Sequence, residues 1–229
     1  GRMLPRFLLQ QTDRIPLARG LGSSAACIVG GLLIADLLLN TGYSRAELLN
    51  MAVEIEGHPD NVAPAFLGDM VVGVVQDSRF EYVSVPLSEA LEFTVLIPDF
   101  PLSTSEARQV LPGSYTRAQA VFNASRSALL VGCLMSGKFD ALSVAVQDQI
   151  HQPYRSRLIP GMSEILQKAS EFGAYGGCLS GAGPTLMVIG KQGGGIADAL
   201  CAFCETLPHF WLVQTLEPDR TGAVISEKI

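Results

Sequence analysis

A glycine-rich stretch near the start of the chain carries the strongest chemical signal in the sequence. It reads P-L-A-R-G-L-G-S-S-A-A over residues 16–26 and stands directly before a long apolar helix pattern. A glycine-rich turn that opens a helix presents unpaired backbone N–H groups and the positive end of the helix dipole, which favour an anion such as a phosphate chain. The lysine of a Walker A loop is absent, since Ser23 takes its place. The stretch therefore predicts a phosphate loop of another type; the alternative is an ordinary serine-capped buried helix.

The elements that must position this loop follow from caps and hydrophobic patterns. In the first half the patterns predict a strand over 6–13, a helix over 24–40, a second helix over 45–56 and a buried strand over 68–77. Ser44 caps the second helix, and Glu47 stands at the capping-box position. The polar stretch E-G-H-P-D-N that follows predicts a tight turn around Pro59.

The second half alternates strands and helices irregularly. The patterns predict strands over 92–99, 185–190 and 210–216, and helices over 103–112, 117–135, 138–149, 160–172 and 195–207. Because the strands are apolar on both faces and the alternation is irregular, a layered α+β architecture is favoured over a doubly wound sheet. A soft boundary at residues 78–91 separates the two halves.

Composition narrows the class of protein. The 229 residues carry a net charge of −6, only 17% are charged, and no basic run occurs, which argues against nucleic acid as a partner. The longest apolar stretch, residues 25–39, is broken by Gly30, Gly31 and Asp36 and is shorter than the roughly 18–20 residues of a membrane-spanning helix. We expect neither a membrane anchor nor a secretory signal, and hence a cytoplasmic protein.

The five cysteines give no sign of a disulfide framework or a zinc site. Their number is odd, and Cys201 and Cys204 form a C-x2-C pair without a second pair or a nearby histidine. Reduced cytosolic thiols are therefore expected.

Four separated stretches resemble one family. Residues 16–26 resemble the signature of the small-molecule kinases for galactose, homoserine, mevalonate and phosphomevalonate (GHMP kinases), and G-A-Y-G-G-C-L-S-G-A-G-P-T-L-M-V-I-G over 173–190 resembles their C-terminal glycine-rich motif. E-I-E-G-H-P-D-N-V-A-P-A-F-L-G-D-M-V-V-G over 54–73 and H-Q-P-Y-R-S-R-L-I-P-G over 151–161 resemble the homoserine kinases in particular. The resemblance covers almost the whole chain, with the motifs in the same order.

The resemblance implies a two-layer GHMP-kinase-like fold. It places a ribosomal-S5-like nucleotide-binding domain, incomplete here, in residues 1–85 and a ferredoxin-like domain in residues 86–229. Homoserine kinases begin with a further N-terminal portion that carries a P-A-S-x-A-N-L-G-x-G-F-D-like motif, and nothing of that kind precedes Gly1. We therefore expect a chain that lacks this portion, with Gly1-Arg2 as a vector remnant and an inactive polypeptide as one alternative.

The resemblance also implies ATP and Mg²⁺ as cofactors. It assigns the nucleotide to the loop, through Pro16, Arg19, Gly20, Leu21, Gly22, Ser23, Ser24, Ala25 and Ala26. Magnesium prefers oxygen ligands, and the resemblance assigns it to Ser24, or Ser23, and to the carboxylate of Glu56. Glu54 lies on another face of the same helix and is not expected to share the ion. The alternative for Glu56 is a solvated charge at a helix end, which is poorly placed against the dipole.

The substrate residues are implied in the same way. An amino acid carries a carboxylate, which arginine binds with a planar fork. Thr104 and Arg108 share one face of a short helix, and Arg155 supplies a second cation; Arg157 matches less well. The remaining substrate-binding positions implied by the family motifs are His58, Asn61 and Gly181. For His58, Asn61 and Asp60 the alternative is local turn chemistry, and for Gly181 it is a tight connection between layers.

The resemblance therefore implies an ATP-dependent kinase that phosphorylates the hydroxyl of L-homoserine, a step toward threonine. Ser24, Glu56, Arg108 and Arg155 are the predicted catalytic residues. The alternatives are another kinase of the family, for mevalonate or diphosphocytidyl-methylerythritol, and a noncatalytic ligand-binding module. A homodimer is expected from the family.

Overall fold

The structure, a computed structural model, describes residues 6–226, and the chain divides into two compact units. The first unit comprises residues up to Ile15, Gly22–Pro86 and the chain from Pro218 onward, and the second comprises Pro16–Leu21 and Leu87–Glu217. The domain ranges 1–85 and 86–229 remain a prediction; the compact units differ from them because each unit takes one short segment from the other range. The expected vector remnant at residues 1–2 lies outside the described residues.

The first unit builds three helices and one hairpin. In chain order these are α1 (Ser23–Leu39), α2 (Arg45–Glu56), α3 (Pro59–Leu67), β1 (Met70–Gln76) and β2 (Arg79–Val85). The two long helices confirm the predicted ones, and α2 begins with the predicted capping box between Ser44 and Glu47. The core of the unit lies among the three helices and includes Val29, Leu49 and Phe66.

Two expectations for this unit are wrong. Residues 6–13 form no strand in the described structure, because no neighbouring strand pairs with them, and Leu8 is almost fully exposed. The predicted turn around Pro59 is the first turn of α3, with proline at its N-terminal position. Pro64 lies inside α3, so the helix was hidden by a residue that normally ends one.

The predicted strand at 68–77 exists as β1, but it is not buried. It pairs only with β2, antiparallel, in a two-stranded sheet. One face of the hairpin carries Phe80 into the helical core, while Val74 and Val83 on the other face are each 60% exposed. The apolar run therefore reflects a hairpin with one uncovered face within residues 6–226.

The second unit is an antiparallel sheet with helices on it. In chain order its elements are β3 (Leu91–Pro98), α4 (Thr104–Gln109), α5 (Arg117–Ser136), α6 (Leu142–Ala145), α7 (Gln152–Arg155), α8 (Met162–Glu171), β4 (Gly176–Leu179), β5 (Leu186–Lys191), α9 (Ile196–Cys204) and β6 (Trp211–Leu216). The sheet order is β4-β5-β3-β6 with antiparallel pairings. Two β-α-β halves interleaved in this order form a ferredoxin-like sheet, which confirms the predicted α+β class and the fold of this half.

The sheet and its helices share one core. Leu96, Leu186, Ile165 and Leu200 have no exposed surface, which agrees with the predicted buried strand at 92–99. The predicted helix over 138–149 is wrong: a short 3₁₀ turn at Phe139–Ala141 and the four-residue α6 replace it. Residues 6–226 contain no helix that combines the length and apolar character needed to cross a membrane.

Candidate active site

The start of α1 is capped by glycine and not by serine. Gly22 is the N-cap, with φ of 74°, and no side chain accepts a hydrogen bond from the first turn. The Ser23 hydroxyl is buried and donates to Asp13 Oδ2 at 2.9 Å, while the Ser24 hydroxyl donates to Glu56 Oε2 at 3.0 Å. The alternative of a serine-capped helix is therefore wrong. The first amides of α1 have no side-chain acceptor, which is the arrangement that an anion site needs.

The Ser24 and Glu56 pair fits a magnesium ion chemically. A hydroxyl and a carboxylate are both hard oxygen donors, and Mg²⁺ commonly takes one or two protein ligands and completes its shell with phosphate and water. Glu56 stands at the last position of α2, where a negative charge is disfavoured by the helix dipole. Glu54 is exposed on another face of α2 and does not hydrogen-bond Ser24.

The start of α3 lies beside the glycine of the loop. A Cβ atom on Gly22 would meet the Asn61 side-chain oxygen at 3.6 Å, so Asn61 packs directly against the loop. His58 is the N-cap of α3 in an extended conformation, and its buried Nδ1 has no hydrogen-bond partner among the described residues. The structure therefore places Asn61 against the glycine-rich loop and leaves a polar atom of His58, three residues earlier, unpaired among the described residues.

The first half of the loop is attached to the turn after β4, within the second unit. The Ser180 hydroxyl donates to the Gly20 carbonyl at 2.8 Å. Gly20 has φ of +73°, and a Cβ atom there would lie 2.5 Å from the Ser180 carbonyl oxygen and 2.8 Å from that of Gly183. Only glycine fits such an approach, so this position of the predicted loop is fixed by packing as well as by any ligand.

The Arg19 side chain hydrogen-bonds the protein backbone and thereby supports the conformation of the loop. Its Nε donates to the Pro98 carbonyl and its Nη2 to the Asp99 carbonyl, both at 3.1 Å. These bonds tie the loop to the end of β3. Of the other loop residues, Ala25 is fully buried, whereas Pro16 and Ala26 are exposed and Leu21 is half-buried.

Helix α4 presents the first predicted cation. The short helix predicted over 103–112 is α4, and a capping box between Ser103 and Glu106 starts it. Thr104 and Arg108 stand one turn apart and are both exposed. The Arg108 guanidinium forms no hydrogen bond or ion pair with any residue in the range 6–226.

The second predicted cation, Arg155, is half-buried and held on three sides. Its Nε donates to the Ala107 carbonyl at 3.0 Å, and its Nη1 lies 3.1 Å from the Gly181 carbonyl and 3.3 Å from His151 Nδ1. Desolvation by burial and the charge of Arg108 lower the pKa of Arg155. Arg108 and Arg155 are therefore close enough to repel each other, and Nη2 of Arg155 has no partner in the described part of the chain. Both features favour an anionic ligand such as a carboxylate.

Comparisons with known proteins identify the family. The family model for the GHMP kinases N terminal domain matches residues 5–69, and the model for the GHMP kinases C terminal region matches residues 130–209. The chain is 46% identical over 214 residues to a homoserine kinase from Clostridium beijerinckii, covering 93% of this chain and 72% of that one. This chain belongs to the homoserine kinases.

Solved structures agree with this membership. A crystal structure of homoserine kinase from Cytophaga hutchinsonii superposes with a TM-score of 0.84 at 30% identity, covering 92% of this chain and 69% of that one. L. major mevalonate kinase in complex with R-mevalonate superposes with a TM-score of 0.63 at 17% identity, covering 86% of this chain and 66% of that one. At that identity the likeness to mevalonate kinase concerns the fold alone.

Sequence reasoning missed one buried carboxylate close to Arg155. The Asp148 side chain is 7% exposed, and its Oδ2 accepts hydrogen bonds from the amides of Ile150, His151 and Gln152 at 3.1, 2.7 and 2.7 Å. Desolvation by burial acts to raise the pKa of Asp148. The backbone hydrogen bonds from His151 and Gln152, a side-chain hydrogen bond from Asn123 and the charge of His151 outweigh it and hold the pKa below the ordinary value. An aspartate shortly before a Gln-Pro pair is a helix-start signal, which the predicted helix over 138–149 concealed.

The cysteines take no part in the site. All five are free thiols, and burial raises the pKa of Cys178 to about 11, which disfavours the reactive thiolate. Burial and the neighbouring Cys201 likewise raise the pKa of Cys204 to about 11. In the described range 6–226, no group of three or more His, Cys, Asp or Glu side chains is arranged to hold a metal ion.

Proposed function

We propose that the chain transfers the γ-phosphoryl group of ATP to the side-chain hydroxyl of L-homoserine and forms O-phospho-L-homoserine, a step toward threonine. Membership of the homoserine kinases supports the reaction. The single observation that carries the substrate assignment is that neither Arg108 nor Arg155 forms an ion pair with a carboxylate of residues 6–226, because an amino acid supplies such a carboxylate. A substrate without a carboxylate would give the two arginines no anion to bind.

The loop over residues 16–26 and the first turn of α1 bind the triphosphate in this proposal. Phosphoryl transfer spreads negative charge over the moving group, so alignment and fixed positive dipoles supply most of the catalysis. The uncapped amides after Gly22 supply such dipoles. Asn61 packs against the loop and maintains its path, and Arg19 fixes the loop to the carbonyls at the end of β3.

Ser24 and Glu56 would hold Mg²⁺, which when bound neutralises the phosphate charge. The oxygens of the hydroxyl and the carboxylate are already 3.0 Å apart, so both side chains stand side by side before an ion binds. The pair also compensates Glu56 at the unfavourable end of α2.

The substrate carboxylate is shared unequally between the two arginines. Nε and Nη1 of Arg155 are engaged by protein acceptors, so Arg155 contributes Nη2, whereas Arg108 keeps its whole fork available. Thr104, on the same face of α4 as Arg108, supplies a hydroxyl, and Gly181 acts through its carbonyl on Arg155. His58 offers its unpaired Nδ1 to the substrate.

We assign no general base, because a loose transition state for transfer to a hydroxyl needs little proton abstraction. His58 therefore acts in binding. From the family alone we further infer a homodimer and a cytoplasmic location.

The test compares two glutamates of one helix in the full chain. Incubation with ATP, Mg²⁺ and L-homoserine, followed by ³¹P NMR, is expected to yield O-phospho-L-homoserine, and (R)-mevalonate is expected to give no product.

Glu56→Gln is expected to abolish most turnover, while Glu54→Gln on the exposed face keeps it. Equal turnover of the two variants at saturating Mg²⁺ would remove Glu56 from the site. Calorimetric binding of ATP-Mg without any product would favour a noncatalytic ligand-binding module.

A further inference from the structure

A chain of three side chains runs from Asp148 through His151 to Arg155. His151 Nδ1 lies 3.3 Å from Arg155 Nη1, and His151 Nε2 lies 3.7 Å from Asp148 Oδ1. A guanidinium has only donors, so Nδ1 must accept and carries no proton. The neutral imidazole then has its proton on Nε2, on the side that faces the carboxylate. The contact with Arg155 thus assigns the tautomer, and the Asp148 carboxylate, 3.7 Å from Nε2 and too far for a direct hydrogen bond, favours it electrostatically.

The carboxylate at the end of this chain is immobilised. Besides the three backbone amides on Oδ2, Asp148 Oδ1 accepts from Asn123 Nδ2 at 2.5 Å. Asn123 lies on α5, and its own side-chain oxygen accepts from the Gln149 amide at 2.9 Å. Helix α5 and the segment before α7 therefore hold Asp148 from both oxygens, which makes it a fixed reference for the imidazole of His151.

We propose that Asp148 and His151 are positioning residues for Arg155: the carboxylate selects the tautomer of the imidazole, and the imidazole fixes the guanidinium with Nη2 free for the substrate carboxylate. This inference rests on the proposed substrate role of Arg155. His151 supplies the third acceptor, beside the carbonyls of Ala107 and Gly181. Neither Asp148 nor His151 touches substrate in this scheme.

The arrangement makes substrate binding dependent on pH. Protonation of His151 turns Nδ1 into a donor, which breaks its bond to Arg155 and adds a third positive charge beside Arg108. The charged groups that face His151 are Asp148 and Arg155, and Arg108 and Tyr115 act on Arg155 in turn. Desolvation, with the charge of Arg155 adding to it and that of Asp148 opposing it, lowers the pKa of His151. The ring is therefore neutral at pH 7, and the affinity for homoserine falls only in acid.

The tautomer is tested by ¹⁵N NMR of the histidine rings in the full chain. The sequence has three histidines, so His151→Asn assigns the signals of His151 by difference. We expect a proton on Nε2, none on Nδ1, and a titration midpoint below the ordinary value of about 6.5. Asp148→Asn removes the charge that favours the imidazolium and is expected to lower the midpoint further. A proton on Nδ1 in the wild-type protein overturns the proposal, whether or not the chain is an active kinase.

The kinetic test uses two substitutions of the same residue. His151→Leu removes the acceptor and is expected to raise the KM for homoserine about tenfold, the effect of one hydrogen bond to a charged group, with little change in the KM for ATP. His151→Asn places an amide oxygen near the position of Nδ1, so it is expected to recover most of that loss and to abolish the acid limb of the KM profile.

Two controls separate this proposal from the proposed function. Arg157→Ala, an exposed position two residues beyond Arg155, is expected to change neither KM. If Arg155→Ala leaves the KM for homoserine unchanged, the carboxylate role itself fails. If Arg155→Ala raises it while His151→Leu and His151→Asn behave alike, the substrate role stands and the positioning role is overturned.

Discussion

Substitution of Arg108 by alanine isolates the carboxylate interaction, because this side chain has no other task in the structure. Its guanidinium is exposed and bonds no residue between 6 and 226, so its removal leaves no buried group unpaired. A hydrogen bond to a charged partner contributes about 1.5–3 kcal/mol, and each 1.4 kcal/mol corresponds to about a tenfold change. Exposure favours the lower limit. We therefore expect the KM for homoserine to rise about tenfold in Arg108→Ala, with the KM for ATP within about twofold of wild type.

The assay couples ADP release to NADH oxidation and varies each substrate while the other is saturating. Arg157→Ala is the matched control, since it removes an exposed arginine of the same unit. A second substrate sharpens the test: 3-aminopropan-1-ol keeps the hydroxyl and the ammonium of homoserine but lacks the carboxylate. Arg108→Ala is expected to lower kcat/KM for homoserine about tenfold and to leave kcat/KM for the amino alcohol unchanged. Equal losses on the two substrates, or equal rises in KM for ATP and homoserine, would refute the clamp.

Two further predictions concern stability. Gly222→Ala is expected to lower the free energy of unfolding more than Gly42→Ala does, by about 1 kcal/mol or more. Both glycines have positive φ, but of these two only Gly222 would bring a Cβ atom against backbone, 2.4 Å from the Phe66 carbonyl oxygen. Urea denaturation measures both losses, and equal losses would contradict the clash. The pKa of Asp148 lies below its unfolded value, so the stability it confers is complete above pH about 4 and is lost as pH falls through the folded pKa. Asp148→Asn is thus expected to be less stable at pH 7 and to lose less stability between pH 5 and 3; parallel curves for both proteins would be inconsistent with this.

Local signals predicted the starts of α2 and α4 because their chemistry is complete within four residues. The capping boxes at Ser44 and at Ser103 each need only a hydroxyl and a glutamate three residues later, and both form. The buried strand β3 was equally predictable, since an apolar run bounded by proline has few other solutions. The pairing of Ser24 with Glu56 needed more than local chemistry, and it was expected from the resemblance to a family.

The missed features depend on contacts that no short window contains. The burial of β1 is set by what covers each face of its hairpin, and Val71 on β1 and Phe80 on β2 show which face meets the helices. The direction of the Ser23 hydroxyl depends on Asp13, which lies in a segment without regular structure. The helix predicted over 138–149 fails because the Asp148 carboxylate takes the amides of the next segment, and this follows from the fold of α5 and α7 together.

The two arginines differ in kind, although the sequence treats them alike. Arg155 fills three directions of its planar fork with protein acceptors, so its orientation is determined before any substrate arrives. Arg108 is held by none and must lose side-chain freedom on binding. Arg155 is preorganised but has only Nη2 left for a ligand, whereas Arg108 is mobile and has all of its N–H groups left. Together they fix the position of a carboxylate and still let it enter. Because a lysine ammonium presents a point charge without a fork, it could not bridge the carbonyls and the imidazole that orient Arg155, so guanidinium geometry is required at the anchored position before charge is considered at all.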